Sequence, residues 1–191
     1  MAILDGKPLP LRDLTQDPEA RRGRGAGRMQ TGYKLHALAA PDGRILRYRV
    51  HPLNVGEPNT ARELVTDLPP ETVVLADANY DSSPLYEAVS QRGAQLLTPL
   101  KGWARSADRL RRMSPARRRV MRLWVSAEPL CRQLYHERAT VERIFSALTC
   151  FGGGLGPLPS WVRHLDRVRR WVTGKLAIYH ARLCCRKAVP A

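Results

Sequence analysis

Three acidic residues stand where a carboxylate needs a reason. Asp77 closes TVVLAD, residues 72–77, the most apolar strand-like run in the chain. Asp5 closes AILD, residues 2–5, and Glu142 lies inside YHERATVERIFSALT, residues 135–149. An acid at the end of a buried strand is costly unless it is paired or coordinated. Carboxylates drawn from distant parts of a sequence suit hard divalent cations, which prefer oxygen ligands. Two such ions roughly 3.5–4 Å apart can neutralise a phosphate and activate a water or hydroxyl, which is what phosphodiester chemistry requires.

Each acid also has a plainer reading. Asp77 can cap the turn after its strand, and Asp5, just before Gly6, can be a turn residue. Asp81 reads as a turn residue, or as a cap of the next helix with Ser82 and Ser83. On a continuous helix turning about 100° per residue, Tyr135, Arg138, Glu142 and position 149 fall within one narrow arc. The plain reading of Glu142 is then an i,i+4 pair with Arg138, worth about 0.3–0.5 kcal/mol.

The elements that must position these residues follow from local pattern. AILD is a short first strand, and the two prolines of GKPLPL are expected to stop its pairing. Residues 13–31 are Gly- and Arg-rich and read as a loop. Residues 32–51 read as a hairpin, with Pro41-Asp42-Gly43 as its turn. Residues 57–68 suit a short helix with Pro58 in its first turn. TVVLAD, a helix from Ser82 or Ser83 to about Arg92, and the strand AQLLT at 94–98 form a strand–helix–strand unit, most naturally parallel. Residues 128–149 read as one long helix ended by Gly152-Gly153-Gly154. A second helical stretch covers 159–186, with Trp161, Leu165, Val168, Val172, Leu176 and Tyr179 recurring every three or four residues.

The 191 residues fit a single domain. Within it, 101–127 is a short basic insertion and 128–186 forms the C-terminal helices, including the one that bears Glu142. Three antiparallel strands followed by alternating helices and strands predict an α/β fold: an RNase H-like mixed sheet flanked by helices, with a C-terminal helical region.

Lys and Arg number 32 against 17 Asp and Glu, a formal charge of +15. Such an excess points to a polyanionic partner, most often nucleic acid. Segment 101–124 carries nine basic residues and one acid. It reads as a DNA-facing surface, with Lys101, Arg105, Arg109, Arg117 and Arg118 as phosphate contacts. Lys34, His36, Arg47 and Arg49 are expected to extend that surface across the hairpin, with His36 and His51 as surface histidines. The four cysteines show no zinc-ligand spacing, so they are expected to be reduced thiols. No signal peptide and no apolar run of membrane-spanning length is visible, and the expected location is the bacterial cytoplasm, at the nucleoid.

With these residues placed, the chain resembles the catalytic part of a bacterial insertion-sequence DDE transposase, of the group carrying a Y-x2-R-x3-E-x6-K pattern. The matching residues are Tyr135, Arg138 and Glu142, with Thr149 where that pattern has lysine. LADANYDS, 75–82, is similar to the family's second-aspartate segment, and DGKPLPL with GYKLHAL is similar to its first-aspartate region. The resemblance implies an RNase H-like fold in which Asp5, Asp77 and Glu142 bind two Mg²⁺ or Mn²⁺ ions. It implies nicking at transposon ends followed by strand transfer into target DNA, by a homo-oligomer when active. Tyr135 and Arg138 inherit a DNA contact beside the cut. Family members usually carry an N-terminal region that recognises the element's ends, so the chain is expected to be N-terminally truncated. Two other readings stand beside this one: an inactive remnant that binds DNA or an intact transposase, and a general basic nucleic-acid-binding protein.

Overall fold

A computed structural model describes residues 1–12, 15–25, 27–99, 111–150 and 154–188. Its frame is a mixed sheet of six strands: β1 (Ala2–Pro10), β2 (Arg21–Gly25), β3 (Arg28–Ala39), β4 (Ile45–Pro52), β5 (Val73–Leu75) and β6 (Gln95–Leu97). β3 pairs antiparallel with β1, β2 and β4, whereas β1, β5 and β6 run parallel. The expected order of antiparallel strands first and parallel strands second is therefore present, on a sheet with one strand more than expected. The helices are α1 (Glu57–Leu64), α2 (Ser83–Ser90), α3 (Pro115–Ser126), α4 (Glu128–His136), α5 (Ala139–Cys150) and α6 (Leu165–Ala188). None among the described residues is long and apolar enough to cross a membrane.

β1 runs twice as far as expected, straight through Pro8 and Pro10. The reason lies in which edge each residue presents. Leu11 donates its N–H to the Thr31 carbonyl, and the Pro10 carbonyl accepts from Leu158 on the other side. Strand alternation then turns odd-numbered N–H groups of β1 toward β3 and even-numbered positions away. The two prolines thus lack N–H groups only on the outer edge, and β5 reaches just Ala2 and Ile3 there.

The Gly/Arg-rich loop is also corrected. Residues 21–25 and 28–32 form a tight hairpin. Its glycines serve close packing: a Cβ on Gly23 would lie 2.6 Å from the Leu53 carbonyl oxygen. Glycine here removes a clash between strands, a role that composition alone cannot distinguish from loop flexibility.

β3 is buried along its length from Gly32 to Ala39. Lys34 and His36, expected on a DNA-facing surface, are therefore inside, at 7 % and 0 % exposure. Lys34 pairs with Glu57 at 2.8 Å. Arg47 pairs with Asp67, and Arg49 with Glu63 at 3.2 Å. The hairpin's cations thus hold the α1 region against the sheet.

The long helix expected over 128–149 is two helices, broken at Glu137 and Arg138. The Glu137 N–H bonds back to Leu134 and the Thr140 N–H to Glu137, the tighter i→i+3 spacing. α6 begins only at Leu165, because His164 just before it holds a φ of 65°, outside the right-handed helical region. Val168, Val172 and Leu176 are buried as expected, but Trp161 lies before the helix and is exposed.

Candidate catalytic site

The apolar residues of β1 and β5 pull the two strands side by side with Ile3 opposite Leu75. Both strands run the same way, and Asp5 and Asp77 each lie two residues beyond that pair, Asp77 just past the end of β5. Both carboxylates line one groove of about 930 Å³, together with Gly6, Lys34, Glu57 and Asn79. The Asp5 side chain is only 14 % exposed. Burial pushes its pKa up to about 6; Arg138 and the Gly6 N–H pull it down, while Asp77 and Glu57 add to the rise. This is a carboxylate whose negative charge is incompletely compensated by the protein.

Asp77 does cap the turn that follows it. Its Oδ1 accepts from the Asn79 N–H at 2.8 Å and its Oδ2 from Asn79 Nδ2 at 3.2 Å. A carboxylate has about four lone-pair sites, so these two bonds leave acceptor capacity on both oxygens. The plain reading of Asp77 is thus present without using up the side chain.

Glu142 sits in the first turn of α5, 65 % exposed, and accepts from Arg138 Nη1 at 3.1 Å. The other terminal nitrogen of Arg138 donates to Asp5 Oδ2 at 3.2 Å. Arg138 therefore bridges the first strand and the Glu-bearing helix. Burial opposes its charge, yet Asp5, Tyr135, Asp77 and Glu142 together hold its pKa above the ordinary value. All three acids singled out by the sequence converge electrostatically on this one guanidinium. Glu142 lines a neighbouring groove of about 520 Å³ with Pro99, Trp124, Tyr135 and Arg138. Tyr135 is half-buried, packed edge-on against Trp124 with ring centroids 6.3 Å apart.

Among the described residues no group of three or more His, Cys, Asp or Glu side chains lies close enough to hold a metal ion. Asp5 and Asp77 share a groove, and Arg138 stands between Asp5 and Glu142. The donors are nonetheless of the chemical kind that suits a hard divalent cation: oxygen ligands, one of them, Asp5, a poorly compensated carboxylate within β1.

Several expected positions turn out differently. Arg117, expected to face DNA, is turned inward: its Nη2 donates to Asp81 Oδ2 at 2.7 Å, and the Asp81 side chain is only 1 % exposed. Asp81 is thus neither a rival site acid nor the helix cap; it docks α3. Arg118 is partly buried and donates to the Met113 carbonyl at 3.0 Å. The reason is amphipathicity, since α3 buries Ala116, Val120, Met121 and Trp124 and carries neighbouring arginines inward with them. Arg111, Arg112, Arg119 and Arg122 are the exposed cations of this region. Lys101, Arg105 and Arg109 lie outside the described residues.

Two groups beside the site, Glu57 and Lys7, escaped sequence reasoning, and a third, Tyr80, lies in the segment that resembles the family's second-aspartate region. Glu57 stands in the first turn of α1 and contributes to the rise in the Asp5 pKa. The Tyr80 hydroxyl is buried without a hydrogen-bond partner. Burial foremost, then Glu57, Asp5 and Asp77, keep it firmly protonated. Lys7 reaches Thr149 across 142 positions of sequence. The first-turn acid is a helix-start signal, but nothing in its spacing points toward Asp5.

The sequence profile of the transposase DDE domain matches residues 1–175. The chain belongs to the transposase DDE domain family. No match was found among curated proteins. Membership in the DDE family implies an RNase H-like fold, a DNA substrate and transposition-related nuclease chemistry, and its members generally use divalent metal ions. The match covers Asp5, Asp77 and the whole Glu142 helix.

Proposed function

We propose that this chain carries the catalytic centre of an insertion-sequence DDE transposase, which nicks DNA and transfers the freed strand, with Asp5, Asp77 and Glu142 as its catalytic acids. The observation that carries this reading is the convergence of these three carboxylates, from β1, the end of β5 and α5, on Arg138. Two Mg²⁺ or Mn²⁺ ions held by these acids would neutralise the scissile phosphate and activate the attacking water or 3′-hydroxyl.

The chain's own residues do the positioning. The parallel pairing of β1 with β5 ends two residues before Asp5 and Asp77 and brings both into one groove. Asn79 orients the Asp77 carboxylate through two hydrogen bonds. Arg138 bridges Asp5 and Glu142 in the DNA-free protein and offsets part of their charge. Its planar fork suits a phosphate equally well, so Arg138 can exchange a carboxylate for the DNA backbone when substrate arrives. Tyr135, on the same groove, would lie along that backbone.

Nicking of supercoiled plasmid with Mn²⁺ tests this function. Wild-type protein is expected to convert plasmid to open circles. Asp77→Asn and Glu142→Gln are each expected to cost more than the roughly 10–100-fold that loss of an outer-shell metal partner costs. Equal nicking by wild type and Glu142→Gln would remove Glu142 from catalysis and favour a chain that binds DNA without cutting it.

A further inference from the structure

Lys7 stands two residues beyond Asp5 on β1, and strand alternation sends both side chains to the same face. The Lys7 stem is half-buried, and its ammonium donates to Thr149 Oγ1 at 2.7 Å. The Thr149 hydroxyl in turn donates to the Phe145 carbonyl at 2.7 Å. With its only hydrogen committed to the helix backbone, that oxygen meets the ammonium as an acceptor. The lysine is aimed by α5, the same helix that bears Glu142.

Other cations around the site are committed to carboxylates: Lys34 to Glu57, Arg138 to Asp5 and Glu142, and Arg117 to Asp81. Lys7 differs. Among the described residues no carboxylate forms an ion pair with it, and the threonine occupies one of its three donors. Two parallel ties thus run along the seam between β1 and α5. Asp5 is tied through Arg138 to Glu142, and Lys7 is tied to Thr149 two helical turns further along. The first tie sets one guanidinium between two carboxylates, whereas the second sets an ammonium against a neutral hydroxyl and adds a positive charge beside the carboxylates.

We propose that Lys7 binds a DNA phosphate flanking the scissile one, and that Thr149 is the residue that positions it. The proposal rests on the reading of Asp5, Asp77 and Glu142 as a strand-cleavage site. The sequence pattern that places Tyr135, Arg138 and Glu142 carries a lysine at the position held here by Thr149. In this chain the ammonium reaches that place from the strand instead of the helix.

The test combines two measurements on full-length protein. Affinity for a duplex oligonucleotide is followed by fluorescence anisotropy across a KCl series with Ca²⁺ present, and plasmid nicking is followed with Mn²⁺. Lys7→Gln is expected to lower the slope of log affinity against log salt by about 0.9, the value for one phosphate contact, and to slow nicking. Thr149→Val is expected to keep the slope and slow nicking, because the charge remains but loses its aim. The double variant Lys7→Gln/Thr149→Lys, which returns the charge from the helix side, is expected to recover both. A Lys7→Gln slope equal to wild type, or a double variant no better than Lys7→Gln, overturns the proposal. Thermal unfolding checks each variant, and Lys7→Met, which keeps the apolar stem, replaces Lys7→Gln if the latter does not fold. A wild type that binds DNA without nicking removes the cleavage reading, and the salt slope still decides whether Lys7 holds a phosphate.

Discussion

Asp5 and Asp77 line one groove, each two residues beyond Ile3 and Leu75, the last pair that parallel β1 and β5 form. Few arrangements bring two acids together with so little freedom. The strand pairing just before them brings both into that groove. The consequence is electrostatic: burial first, with Asp77 and Glu57 adding to it, lifts the Asp5 pKa to about 6 despite Arg138.

That shift has a sign for stability. Between about pH 4 and pH 6 the folded protein holds a proton on Asp5 that the unfolded chain has released. Metal-free stability from this group therefore falls as pH rises through that window, and the penalty is complete above it. Asp5→Asn is expected to stabilise the metal-free protein at pH 7 by up to about 3 kcal/mol while abolishing nicking. Denaturant titration of both proteins at pH 4 and pH 7 checks it; no gain at pH 7 counts against an undercompensated carboxylate.

The same undercompensation predicts metal-linked stability. Mn²⁺ at 100 times its dissociation constant is expected to stabilise wild type by about 2.7 kcal/mol. The Tm is expected to rise with Mn²⁺ in wild type and to stay flat in Asp5→Asn and Asp77→Asn. A metal response that survives in both variants would place the ion elsewhere.

Arg117 and Arg119 lie on one helix and do different work. Arg117→Ala strands Asp81 as an unpaired buried carboxylate and is expected to cost about 3–5 kcal/mol of stability. Arg119→Ala, at an exposed position, is expected to leave the Tm within a degree or two of wild type, since surface substitutions stay within about 0.5 kcal/mol. Any effect of Arg119→Ala belongs in DNA affinity and its salt dependence. Calorimetry and anisotropy on the two variants separate these roles.

His36 gives a second pH signature of opposite sign. It is fully buried beside His51, with ring centroids 6.2 Å apart and neither ring nitrogen hydrogen-bonded. Burial foremost, with Lys34 and His51, lowers its pKa to about 3. The folded state thus keeps it neutral where the unfolded chain takes up a proton. Its contribution is intact above about pH 6.5 and is lost at about 1.4 kcal/mol per pH unit as pH falls below that. His36→Phe is expected to flatten the acid limb of the stability curve; an unchanged limb would show that His36 does not titrate on unfolding.

Much of this molecule is legible in local pattern. Apolar runs ending in acids marked Asp5 and Asp77, although Asp5 lies mid-strand because β1 runs on to Pro10; Pro41-Asp42-Gly43 located the β3–β4 turn, and the strand–helix–strand unit of β5, α2 and β6 followed from apolar runs and helix-start residues. The misreadings share one cause. Pro8 and Pro10 look like strand breakers until the edge they face is known. The glycines of β2 look like loop residues until a neighbouring backbone is packed against them. Lys34, His36 and Arg117 look like surface groups until both faces of β3 and the inner face of α3 are covered.

By itself, then, the sequence determined which residues can do chemistry: three acids, an arginine in step with one of them, and a large positive charge. Those are properties of residue type and short spacing, which strand and helix geometry read directly. Tertiary structure alone decided which charges are compensated. Arg138 was tied to Asp5, Arg117 was withdrawn to Asp81, and Lys7 was set against Thr149 from the far end of the chain. Local spacing reaches the Arg138–Glu142 pair, but ion pairing across the fold and burial depend on distances between segments that it does not encode.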